Sequence, residues 1–234
     1  MDPLVDDALQ PATPGRLVRA TSKIHAGVAT TGEQIVGYSV YWREGSINAL
    51  TASDPVLVVL GDSLGQGIGA SSPEHGYVGL LRNAMSIDLG SPVAVLNLSR
   101  SGARINDVLS TQLPALAAAG VEPMLTVCTV GGNDLLRSAW PAKVRREVRA
   151  LARSLPVGTV WATVPAKGST MAKLLNRRIR TEAAAQNLLV ADIGANLTSW
   201  RGKLAKDGFH PSDEGHQFWA EQFETAAGLE PTVD

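Results

Sequence analysis

The chain has little sulfur, almost no net charge and no long apolar stretch, and each shortage removes a class of protein. Cys128 is its one cysteine in 234 residues, so no intrachain disulfide can form and no oxidising compartment is required. That thiol sits in the apolar run PMLTVCTV, where an inert core residue is the expected reading. Lysine and arginine number 21 and aspartate and glutamate 22, a formal net charge of -1. Such a balance gives no basic field to draw phosphate backbones or anionic lipid, and nucleic-acid binding is not expected. The most apolar early segment, Ile35 to Trp42, is far shorter than the roughly 20 residues a membrane-spanning helix needs. The start, MDPLVDDALQPATPGR, puts acids and prolines where a secretory signal needs a basic residue and an unbroken apolar stretch. A cytoplasmic protein is expected. No cluster of His, Cys and carboxylates has metal-site spacing, and neither a metal nor any other cofactor is expected.

What is present is the composition of a globular domain, 44% apolar and 18% charged. From residue 55 onward, short β-branched apolar runs alternate with stretches of helical period, the pattern of a parallel sheet covered by helices. The runs Val56 to Leu60, Val93 to Leu98, Leu125 to Val130, Thr159 to Val164 and Leu188 to Ile193 predict five strands buried on both faces. Val144, Val148, Leu151 and Leu155 make one helical stripe, with Arg145, Arg146 and Arg149 on its wet side. Leu175, Ile179 and Ala183 make another. A last helix is expected after Pro211, with Ser212 as N-cap, Asp213 and Glu214 in the first turn, and Trp219 and Phe223 as anchors. Residues 1 to 54 lack such strands and contain the loop-forming pieces PATPG and TTGEQ, so they read as an extension packed on a domain spanning 55 to 234. Tyr38, Tyr41 and Trp42 near its end are expected to pack onto that domain.

In an open parallel sheet the ligand crevice lies beyond the carboxyl ends of the strands. Strand one is followed there by Gly61, Asp62, Ser63, Leu64 and Gly65, strand two by Ser99 to Gly102, and strand three by Gly131, Gly132, Asn133 and Asp134. The segment after strand five holds Asp207, Gly208, Phe209, His210 and Pro211. A serine hydroxyl needs a base within hydrogen-bond reach, itself oriented by a third group, and Ser63, His210 and Asp207 supply that set. Candidate donors to an oxyanion are the backbone N–H groups of Ser63 and Gly102 and the side-chain amide of Asn133. Asp62 and Asp134 read as structural, bonding nearby backbone. His216 reads as a packed or half-exposed helix residue, and His25 and His75 have no evident partner.

With GDSL at 61 to 64, a glycine at 102, GGND at 131 to 134 and DGFHP at 207 to 211, the sequence resembles the GDSL/SGNH hydrolases, in the family's order from about residue 55 to 225. The resemblance implies that Ser63, Gly102, Asn133 and His210 are the four residues behind the family name, with Asp207 as the acid. It also implies a three-layer, flavodoxin-like α/β fold with a parallel sheet in the order 2-1-3-4-5, and a small acyl ester or thioester as substrate. An acyltransferase using the same triad and a catalytically silent binding module of the same fold are the alternatives.

Two other motifs compete. Gly61 to Gly65 fits the G-x-S-x-G elbow of α/β-hydrolases, but that fold needs several strands upstream, and Ser63 follows the first. Gly65, Gly67 and Ala70 fit a dinucleotide fingerprint, but the acid at the required distance, Asp88, falls in a helical pattern before strand two begins.

Overall fold

The structure is a computed structural model and describes residues 1–11, 26–136, 142–166 and 168–229. Five parallel strands form one sheet, as the apolar runs predict, in the order β2-β1-β3-β4-β5 that the family resemblance implies. They are β1 (Val56–Gly61), β2 (Ala94–Asn97), β3 (Leu125–Thr129), β4 (Val160–Ala162) and β5 (Leu189–Ala191). In chain order the helices are α1 (Pro3–Ala8), α2 (Ala26–Ala49), α3 (Tyr77–Leu89), α4 (Ile105–Asp107), α5 (Leu113–Ala119), α6 (Gly132–Leu136), α7 (Ala142–Ser154), α8 (Thr170–Ala185), α9 (Ile193–Asn196) and α10 (Asp213–Ala227). A π-turn, Val108–Gln112, joins α4 to α5.

Side-chain alternation along β1 explains the layers. Val58 and Leu60 enter a core with α1, α5, α7 and α8, whereas Leu57 and Val59 enter a second core with Tyr77, Leu81, Trp219 and Phe223 from α3 and α10. The stripes read from sequence face these cores: Val144, Val148 and Leu151 of α7 and Leu175, Ile179 and Ala183 of α8 are buried. Cys128 is buried in the first core, and burial pushes its thiol up, away from the reactive thiolate.

Two expectations need correction. Strand five is not buried on both faces: Leu189 is 41% exposed, because β5 lies at the sheet edge with β4 on one side only. TTGEQ is not a loop but part of α2. Its Thr-Gly signal is overridden by tertiary contacts, since α2 lies along β2 and bonds repeatedly to the domain. PATPG lies outside the described residues from 12 onward, as does His25. The opposite edge, β2, is blunted by α2, where the Asn97 backbone N–H donates to Ser46 Oγ at 2.9 Å.

Candidate active site

The residues that follow β1 and β3 and those that precede α10 meet at the carboxyl end of the sheet. Ser63 lies two residues past the end of β1, in a tight turn closed by Gly65 N–H to Asp62 C=O at 3.1 Å and Gln66 N–H to Ser63 C=O at 3.2 Å. The Gln112 side chain pins the strand end before it, accepting from Gly61 N–H at 2.7 Å and donating to Gly61 C=O at 2.8 Å. Gln112 closes the π-turn, an irregularity of the kind often found beside functional sites.

His210 reaches Ser63 from the far end of the chain, with Nε2 3.0 Å from Ser63 Oγ and Nδ1 2.6 Å from Asp207 Oδ2. Asp207 Oδ1 accepts the backbone N–H groups of Phe209 and His210 at 2.9 and 3.0 Å, so one short loop fixes both the carboxylate and the imidazole. Although burial opposes ionisation, the hydrogen bonds and the imidazole hold the Asp207 carboxyl well below the usual carboxylate range. An ionised Asp207 at Nδ1 sets the neutral imidazole with its proton on Nδ1, leaving Nε2 to accept from the serine hydroxyl. The exposed Phe209 ring stands nearly perpendicular to the His210 ring, with centroids 4.9 Å apart.

Asn133, in α6, donates from Nδ2 to Ala103 C=O at 3.0 Å and, weakly, to Asp62 Oδ2 at 3.4 Å. Gly102 occupies the left-handed region at φ 82°, next to the residue that anchors Asn133. The structure does not bring Gly102 to the wall of the main cavity. It lines instead a smaller cavity of about 230 Å³ with Leu98, Arg100 and Gln112.

Ser63, Asn133 and His210 open onto the main cavity of about 600 Å³, whose walls include Leu135, Leu136, Val164, Trp200, Leu204 and Phe209. That lining suits an aliphatic group.

Asp62 and Asp134 bond nearby backbone, as read from sequence: Asp62 Oδ1 accepts Leu64 N–H at 3.1 Å and Asp134 Oδ2 accepts Ile105 N–H at 3.2 Å. Burial raises both, to about 7 for Asp62 and about 6 for Asp134. His216 is fully buried beneath the Ser63 turn, accepting Tyr77 N–H at Nδ1 (3.2 Å) and bonding Ile68 C=O through Nε2 (3.1 Å). His75 does have a partner, Ser71 Oγ at 2.7 Å from Nδ1.

Tyr38, Tyr41 and Trp42 pack onto the domain as expected, but sequence reasoning missed the hydrogen bonds that hold this loop from behind. Gln66 accepts Ser101 Oγ–H at 2.6 Å and donates to Ser99 C=O at 3.3 Å, tying the Ser63 turn to the loop after β2. From α2, Thr31 Oγ1 donates to Asp207 Oδ2 at 2.8 Å, and Gln34 and Tyr38 donate to Ala70 C=O at 2.8 and 2.9 Å. Trp42 Nε1 donates to Gln66 C=O at 3.0 Å. The available signal was the helical spacing of 31, 34, 38 and 42, obscured by reading TTGEQ as loop.

Among the described residues no group of three or more His, Cys, Asp or Glu could hold a metal, and no helix is long and apolar enough to cross a membrane.

Comparison with known proteins agrees with this architecture. Esterase TesA of Pseudomonas aeruginosa is 35% identical over 102 residues, covering 44% of this chain and 49% of TesA, so the match spans about half of that relative's length. A crystal structure of TesA superposes with a TM-score of 0.61 at 26% identity, covering 73% of this chain and 97% of that one. Axe2, an acetylxylan esterase from Geobacillus stearothermophilus, shares the fold with a TM-score of 0.62 at 20% identity, covering 76% and 96% of the two chains. The family model described as GDSL-like lipase/acylhydrolase matches residues 59–218, the span that carries Ser63, Gly102, Asn133, Asp207 and His210. The chain belongs to that family.

Proposed function

We propose that this protein hydrolyses carboxyl esters or thioesters through an acyl-enzyme on Ser63. The observation that carries the reading is the unbroken line Ser63 Oγ, His210 Nε2, His210 Nδ1, Asp207 Oδ2, with links of 3.0 and 2.6 Å. Ser63 Oγ attacks the acyl carbon as its proton passes to His210 Nε2. The imidazolium so formed is stabilised by Asp207 and then protonates the leaving alcohol or thiol. Water repeats the sequence on the acyl-enzyme and releases the acid. The oxyanion is met by the backbone N–H of Ser63 and by the Asn133 amide, both at the wall of the main cavity; the 3.4 Å bond from Asn133 to Asp62 is weak enough to be exchanged for a substrate oxygen. The apolar walls of the main cavity support an aliphatic acyl group as the part of the substrate held there.

Hydrolysis of p-nitrophenyl esters from acetyl to palmitoyl, with the Ser63→Ala variant alongside, tests this reading. Turnover should be lost in the variant and should rise with acyl length until the cavity is filled. Equal turnover by both proteins would refute the assignment.

A further inference from the structure

The family match begins at residue 59, yet α2 contributes a side chain to the line of groups that the proposed hydrolysis uses. Thr31 is buried, at 5% exposure, and does not line the cavity; its hydroxyl ends on the acid. Asp207 Oδ2 thereby holds two donors, His210 Nδ1 at 2.6 Å and Thr31 Oγ1 at 2.8 Å, while Oδ1 holds the two backbone donors of its own loop. The loop fixes one carboxylate oxygen. Among the described residues, Thr31 and the imidazole itself bond the other, so Thr31 is a constraint on where Oδ2 points that is independent of the base. The position of Thr31 is in turn held by the neighbouring contacts of α2, since Gln34 accepts from Gly69 N–H at 3.0 Å and Trp42 bonds Gln66 of the nucleophile turn. One helix therefore touches both the loop bearing the acid and the turn bearing the serine.

We propose that α2 is an integral part of the active site and that Thr31 is a positioning residue, holding the Asp207 carboxylate in register with His210. This rests on the reading of Ser63, His210 and Asp207 as a triad. A carboxylate freed to rotate leaves the imidazole less well aimed, which slows the chemical step without altering the walls that bind substrate. The effect belongs in kcat and not in KM.

The test uses the full chain and p-nitrophenyl butyrate, with turnover counted per site labelled by a fluorophosphonate probe. Thr31→Val should lower kcat about three- to tenfold with KM changed by less than about twofold. Thr31→Ser, which keeps the hydroxyl, should restore most of the rate. Arg43→Ala, which breaks the ion pair between α2 and Asp6 of α1 away from the candidate site, serves as the control for helix docking: it should lower Tm while leaving kcat per labelled site near that of the parent. Should Thr31→Val fail to fold, Thr31→Ala, which favours the helix, carries the same expectation. An unchanged kcat in an active protein, failure of Thr31→Ser to recover it, or an equal kcat loss in Arg43→Ala would overturn the positioning role. A parent protein that neither labels nor turns over would instead remove the triad reading, and this proposal with it.

Discussion

His216 offers the sharpest test of how the last helix supports the Ser63 turn. Its Nδ1 accepts the Tyr77 backbone N–H and its Nε2 therefore carries the proton that bonds Ile68 C=O, so the native fold accepts only the neutral ring. A second proton would have to enter at Nδ1, directly against a backbone N–H. Burial lowers the ring to about 4; the bond to Ile68 opposes that, nearby His210 adds to it and Asp213 opposes it. Because the folded value lies below the ordinary 6.5, the contribution is fully present above pH 6.5 and is lost as pH falls toward 4. At about 1.4 kcal/mol per unit of pH, the loss approaches about 3 kcal/mol by pH 4. Urea unfolding of the parent and of His216→Gln, from pH 7.5 to 4, reads this directly, since glutamine carries a donor and an acceptor but does not titrate. The stability gap between the two proteins should shrink by about 3 kcal/mol on acidification. A gap that stays constant would show that protonation of His216 does not oppose folding.

Asp62 should act in the same window with the opposite sign. Burial raises its carboxyl from 3.8 to about 7, so its contribution is full below pH 3.8 and is lost as pH rises through 7. Asp62→Asn should therefore gain on the parent by up to about 4 kcal/mol from pH 4 to pH 7.5, and parallel curves would contradict this. Gly69 sits at φ 99°, and a Cβ there would meet Pro211 C=O and lie 2.8 Å from His210 Cβ. Gly69→Ala should lower kcat more than about tenfold by displacing His210, the base of the proposed mechanism, and steady-state kinetics at matched labelling will show whether it does. Gly37 lies exposed inside α2 with nothing within 4 Å of an added Cβ, so Gly37→Ala should stabilise by about 0.5–1 kcal/mol in chemical denaturation. A loss of stability would mean that α2 is not helical there.

Much of the fold was legible because its strands are apolar on both faces, a pattern few other elements mimic. The predicted runs all contain the observed strands or match them to within a residue at the start, and most overran at the ends: Thr163 and Val164 extend the apolar run past β4 but belong to the loop that walls the cavity. Edge position was not legible, since Leu188 to Ile193 reads like any central strand until its neighbours are known. The candidate triad was legible because its chemistry demands particular residue types and two of them lie three residues apart. Thr31, Gln66 and Gln112 were not, because a hydroxyl or amide that orients another group has no type-specific signature. Its role exists only in the contact, such as the pair of bonds between Gln112 and Gly61. The same holds for α2, where Gly32, Gly37 and Gly45 weaken local helix propensity and contacts with the domain supply what the sequence lacks.

The central claim is that Ser63 becomes covalently acylated, and rapid-quench mass spectrometry during turnover of a slow p-nitrophenyl ester measures it directly. The parent should gain the mass of one acyl group, mapped to the peptide containing Ser63, at a rate no slower than turnover. Continued hydrolysis with no adduct on Ser63, or with the acyl group on another residue, would contradict the mechanism.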